Sequence, residues 1–197
     1  KGYGTMGLIT YMRTDSVRIS EEAQKNALDF IKSSFGDNYA PETPRIFKSK
    51  KSAQDAHEAI RPTNIEITPE RVRDSLKDDQ YKLYSLIWKR FIASQMASCI
   101  MDVTSIDIVN QDYGLKASGS IMKFDGFMKV YEYSTEEEGE NTNIPELKEG
   151  EVLKNEKIEG KQHFTQPPAR FSEASLVKTL EENGIGRPST YAPIISV

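Results

Sequence analysis

The sequence predicts an α+β fold: an α-rich region over residues 1–97, an antiparallel β region over 98–166 and a helical segment over 167–197. Three observations carry this reading. Apolar residues recur at three- and four-residue steps between residues 79 and 97. From Asp102 onward that spacing gives way to alternation with a period of two. A capped helical pattern returns at Ser172, beyond a boundary at Gln166-Pro167-Pro168.

Taken in order, Leu8-Ile9-Thr10-Tyr11-Met12 is a β-like run closed by the polar Thr14-Asp15-Ser16. Ser20 is placed to cap a helix from Glu21 to about Ser34, with acids in the first turn and Gly36 just past the end. Ala27, Phe30 and Ile31 give that helix its apolar stripe. Residues 41–52 are rich in Pro and Lys and read as a loop, with Lys48, Lys50 and Lys51 as a basic group. Ala53 to Ile60 is helix-compatible, and Pro62 ends it. Thr68-Pro69-Glu70 opens a short helix, with Pro at its first position, to about Leu76. The strongest helix covers 79–97, with Leu83, Leu86, Ile87, Arg90, Phe91 and Ser94 on one stripe and Trp88 beside it. Strands are expected over 102–109, 113–121 and 127–133, the last entered through the turn residues Asp125-Gly126, and another over 151–160. Ser172 then caps a helix to Glu182, with Phe171 as a hydrophobic staple and Asn183-Gly184 as the stop.

The 197 residues include 26 Lys plus Arg and 30 Asp plus Glu, a formal net charge of −4. That length buries a core without cross-links. Cys99 is the single cysteine, which excludes a disulfide framework and a Cys-rich zinc site. His57 and His163 lie far apart in sequence, so a His-based metal site is not expected. No run of apolar residues is long enough to span a membrane, and no signal peptide is visible. Mild acidity argues against a uniformly basic phosphate binder. The charge is uneven, however: residues 131–160 hold ten acids against three bases, most densely at Glu136–Glu140, and the rest of the chain has a surplus of three bases. The absence of an initiator Met and the apolar Ile194, Ile195 and Val197 at the end suggest a piece of a larger protein.

Three segments carry residues suited to phosphate chemistry. In an extended run, Tyr11 and Arg13 project from the same side. A phenol, with an ordinary pKa of about 10, is a weak nucleophile at neutrality. A neighbouring guanidinium favours the phenolate and can hold a phosphate oxygen, so the pair suits attack on a phosphodiester. On a helical turn His57 and Arg61 share a face, a group that titrates near neutrality beside a phosphate anchor. In Gly184-Ile185-Gly186-Arg187-Pro188-Ser189-Thr190, two glycines allow close backbone approach. Free N–H groups at a helix start, Arg187 and the Ser189 and Thr190 hydroxyls together suit a phosphate.

These segments together resemble the type IA DNA topoisomerases, and the bacterial DNA topoisomerase I branch more than topoisomerase III. Leu8 to Ser16 is similar to the active-site tyrosine segment and Ala56 to Pro62 to a second signature. Pro168 to Lys178 and Gly184 to Ala192 are similar to a third. The resemblance implies part of a toroidal, multidomain isomerase. Residues 1–97 would carry the tyrosine, 98–166 would belong to the gate or arch, and 167–197 would lead back to the DNA-binding base. Tyr11 would be the nucleophile that becomes linked to a 5′-phosphate, Arg13 would stabilise cleavage and His57 would order the site or assist proton transfer. Arg61, Arg170, Lys178, Arg187, Ser189 and Thr190 would lie at DNA, Arg61 in a supporting role. Negative supercoils would be relaxed by cutting one strand, passing another and rejoining. The implied Mg²⁺ belongs to an N-terminal Toprim domain whose acidic cluster has no match here, so no metal site is expected in this chain and the chain alone is expected to be inactive. Single-stranded DNA and the remaining domains of the same polypeptide are the implied partners. The whole enzyme is expected to be a monomer in the bacterial cytoplasm, at the nucleoid.

Two other readings remain open on the residues alone. Ser172 to Val197 can form a non-catalytic helix-turn-helix DNA-binding module around Gly184–Gly186. The Glu136–Glu140 run can meet a basic partner.

Overall fold

The computed structural model describes residues 6–14, 16–47, 58–132, 144–145 and 147–196, Pro188 by its backbone alone. The chain divides into two units, Lys1–Ile144 and Pro145–Val197.

In the first unit, helix α1 spans Glu21–Phe35. The Ser20 hydroxyl accepts the Ala23 N–H, Glu21 and Glu22 occupy the first turn and Gly36 closes the end, as the sequence predicts. A short helix α2, Pro69–Val72, begins at its proline and tightens into a 3₁₀ turn over Arg73–Ser75. Helix α3 runs Asp78–Gln95. The core lies between these elements, where Ala27 and Ile31 of α1 meet Tyr84, Trp88, Phe91 and Ile92 of α3, with Ile65, Ile67 and Val72 between. Phe30 stands edge-on to Trp88, ring centroids 5.7 Å apart.

The buried face of α3 differs from the expected stripe. Tyr84, Trp88, Phe91 and Gln95 face inward, whereas Leu83 and Leu86 remain 51 % and 45 % exposed. The reason is polar as well as apolar. The Tyr84 hydroxyl donates to the Ile67 carbonyl at 2.6 Å and the Trp88 indole N–H to the Ile65 carbonyl at 3.0 Å. Both rings thus satisfy carbonyls of the irregular 65–67 segment, which leucines cannot do. Burial pushes the Tyr84 phenol up to about 12, so it stays a neutral donor.

Beyond α3 the chain forms one antiparallel ribbon, β1 Ile100–Asn110 and β2 Tyr113–Phe124. The register pairs Asp107 with Lys116 and Asn110 with Tyr113, leaving Gln111 and Asp112 as a two-residue loop, and shifts between Ile100 and Met101. Both strands outrun their sequence estimates. The expected strand over 127–133 is not formed in its described part: Gly126–Lys129 is a 3₁₀ turn. Phe127 and Val130, three residues apart, both pack against the helical core, a spacing that suits a turn and not a strand. Gly126 makes this possible. It has φ +50°, and a Cβ there would lie 2.5 Å from the Ser98 carbonyl carbon and oxygen. The ribbon's root is further tied down by Phe127 N–H to Ala97 O, Ala97 N–H to Tyr39 O and the Tyr39 hydroxyl to Asp125 Oδ1 at 2.7 Å.

In the second unit, the strand expected over 151–160 is absent. Residues 151–160 carry no regular secondary structure, and Val152 and Ile158 stay exposed. Helix α4 spans Glu173–Glu182. Ser172 and Ser175 cap it reciprocally, and it ends with Gly184 N–H on Glu181 O and Ile185 N–H on Leu180 O. Phe171 remains 65 % exposed, so the expected staple contributes little burial. Helix α5 spans Pro188–Ile195.

Candidate functional site

The β-like run at residues 8–12 and the segment after His57 are 50 residues apart in sequence and adjacent in space. Ile9 pairs with Pro62 in an antiparallel bridge. Thr10 N–H donates to Arg61 O at 2.9 Å and Thr63 N–H to Leu8 O at 3.0 Å. The Thr63 hydroxyl adds a bond to Gly7 O at 2.7 Å. The expected helix over 53–60 is not formed in its described part: residues 58–61 carry no helix, with a bend at Ile60, and Pro62 enters the bridge. The backbone here instead bonds to Leu8, Thr10 and Arg18, whose carbonyl accepts the Ala59 N–H at 2.8 Å. The pairing also shortens the expected strand to the single bridge at Ile9.

Tyr11, Met12 and Arg13 follow immediately and lie at the surface, with the Tyr11 side chain 77 % exposed. His57 lies outside the described residues, as do Lys48, Lys50, Lys51 and Glu136–Glu140. Arg61 is held tightly. Its Nη2 and Nε donate to Glu58 Oε2 at 2.7 and 3.1 Å, and its Nη1 to the Pro62 carbonyl at 3.0 Å. Glu58 itself feels burial, which would raise its pKa. The hydrogen bonds and charge of Arg61, with smaller help from Ser20 and Arg18, outweigh that and hold the carboxyl below its ordinary value. Glu58 has no role in the sequence reading, because a three-residue offset signals an ion pair only on a helix, which this segment does not form. Thr10 is similarly silent in sequence, and only its long-range partners give it a role.

In the second unit, Arg170, Lys178, Arg187, Ser189 and Thr190 are all exposed. Lys178 sits 4.0 Å from Glu182 one turn along α4. At the start of α5 the Thr190 hydroxyl accepts the Arg187 N–H at 2.8 Å and donates to the Arg187 carbonyl at 3.0 Å. Thr190 is therefore already engaged as a cap, and the Arg187 guanidinium is at the surface beside the helix start. Gly186, with φ +75°, lets this turn close, since a Cβ there would come within 3.2 Å of both Thr190 Oγ1 and Tyr191 Cε1. Five residues, Asn183 to Arg187, separate the two helices, and α5 contains Pro193. Among the described residues no three His, Cys, Asp or Glu side chains gather into a possible metal site. No described helix is long and apolar enough to cross a membrane.

The structure thus brings an exposed tyrosine and arginine next to a second, arginine-bearing segment. The DNA topoisomerase family model matches residues 3–197, and the chain belongs to that family. Among its relatives, DNA topoisomerase 1 of Rickettsia felis is 57 % identical over all of this chain and 26 % of its own length. The Rickettsia conorii protein of the same name is 56 % identical, again over 26 % of its length. The structure of full-length topoisomerase I from Thermotoga maritima superposes with a TM-score of 0.77 at 41 % identity, covering 97 % of this chain and 30 % of that one. The chain thus spans about a quarter of the length of the curated relatives it matches.

Proposed function

We propose that this chain is the tyrosine-bearing and gate portion of a type IA DNA topoisomerase, acting by reversible transesterification. Tyr11 Oη attacks a backbone phosphorus. An Oη–P bond forms as the P–O3′ bond breaks, and the phenolic proton ends on the departing 3′-oxygen. The phosphotyrosine ester on the 5′-phosphate stores the bond, so the 3′-hydroxyl can reverse the step after another strand has passed, and negative supercoils are relaxed. Arg13 holds the scissile phosphate and stabilises the charge that develops on it, with His57 assisting. Arg61, locked to Glu58, supports the second segment. Arg170, Lys178, Arg187, Ser189 and Thr190 hold the single strand by its phosphates. Residues 1–97, 98–166 and 167–197 act as the tyrosine domain, the arch and the return to the base of a toroidal monomer that works at the bacterial nucleoid, in the cytoplasm.

The supporting observation is the antiparallel pairing of residues 8–10 with 61–63, which joins two of the three motif segments beside an exposed Tyr11. Among the described residues no three His, Cys, Asp or Glu side chains gather to fit a Mg²⁺ ion, and the ion is assigned to the Toprim domain that the resemblance implies. The test is denaturant trapping of a labelled single-stranded oligonucleotide on the full-length polypeptide with Mg²⁺. A 5′-adduct mapping to Tyr11 and lost in Tyr11→Phe is expected, and an adduct that survives the substitution overturns the assignment. The chain alone is expected to leave supercoiled plasmid unrelaxed.

A further inference from the structure

We propose that Thr10 is a positioning residue that fixes the backbone from which Tyr11 projects. The inference rests on Tyr11 being the nucleophile. The Thr10 hydroxyl donates to the Ala59 carbonyl at 2.9 Å and accepts the Arg61 N–H at 3.0 Å. Its own backbone N–H donates to the Arg61 carbonyl at 2.9 Å. One residue therefore closes three bonds onto a segment about 50 positions away, and it is the residue immediately before the tyrosine. A hydroxyl is needed for this, because it can give and accept a hydrogen bond at one atom, and β-branching narrows the χ1 choices that aim it.

The backbone bonds at Thr10 and Thr63 already hold the two segments together. The hydroxyl does something separate: it sets the angle at which the chain leaves the bridge and enters Tyr11. A displaced nucleophile loses rate steeply while the surface that binds DNA is left intact. Thr10 touches no reacting atom in this scheme and acts through the placement of Tyr11.

The test compares Thr10→Val and Thr10→Ser in the full-length polypeptide that carries this sequence, using a single-stranded oligonucleotide with Mg²⁺. Valine keeps the shape and removes both hydroxyl bonds. The expected result is single-turnover adduct formation slowed by about tenfold or more at saturating DNA, with oligonucleotide affinity within about threefold of wild type. Serine should restore the rate to within about threefold. Wild-type cleavage by Thr10→Val overturns the proposal. So does equal loss of DNA binding, thermal midpoint and rate in both variants, because that pattern marks a purely structural threonine. An adduct that persists in Tyr11→Phe under the same conditions sinks the underlying nucleophile assignment instead, whatever the two Thr10 variants do.

Discussion

Glu58 carries a charge whose value to the fold depends on pH in a definite direction. Its pKa is held below the ordinary 4.5, so the stabilisation it gives is present above that value and is lost as pH falls through the lowered one. Glu58→Gln should therefore lower the thermal midpoint of the chain at pH 7, and the gap should shrink as pH falls below 4.5 and close once the carboxyl is protonated in the folded state too. A gap that persists at low pH would mean the Arg61 pair is not its source. Gly126 makes a harder demand. Gly126→Ala places a methyl 2.5 Å from the Ser98 backbone at φ +50°, at an expected cost of roughly 2–4 kcal/mol, read by denaturant unfolding. Residue-level features divide cleanly by legibility. The Ser20 and Ser172 caps are local and are readable from spacing alone. The partners of Thr10 lie about 50 residues away, and no window along the sequence brings them together.

Among the elements, α1, α4 and the ribbon follow from pattern, while the face of α3 does not. Its leucines obey the helical spacing but lose the interior to Tyr84 and Trp88, whose polar tips answer backbone carbonyls that the pattern does not reveal. The expected helix over 53–60 is not formed in its described part, where the backbone bonds to Leu8, Thr10 and Arg18 instead. At the ribbon tip, Gln111 adopts φ +54° at the first loop position, where two-residue hairpins favour glycine. Gln111→Gly should stabilise the tip by up to about 1 kcal/mol, seen as slower amide exchange near Asn110 and Tyr113. Faster exchange would show that the glutamine geometry is not strained.

For the whole molecule, the net charge of −4 conceals a division that the sequence already displays. Arg13, Arg61, Arg170, Lys178 and Arg187 all fall outside the acidic block. In the full-length polypeptide, binding to single-stranded DNA should exceed binding to duplex and weaken steeply with salt. Arg187→Ala should flatten the logarithmic salt slope by about 0.7, the signature of one lost phosphate contact on a single strand. Sequence-selective duplex binding would favour the helix-turn-helix reading of residues 172–197 instead. The root of the ribbon has a mechanical meaning of its own. Eleven residues of β1 extend about 36 Å from a pivot made of Gly126, Ser98, Ala97 and the Tyr39–Asp125 bond. The ribbon is thus a long arm whose whole length is carried on a handful of contacts at its root, and its tip stands far from the helical core that holds it.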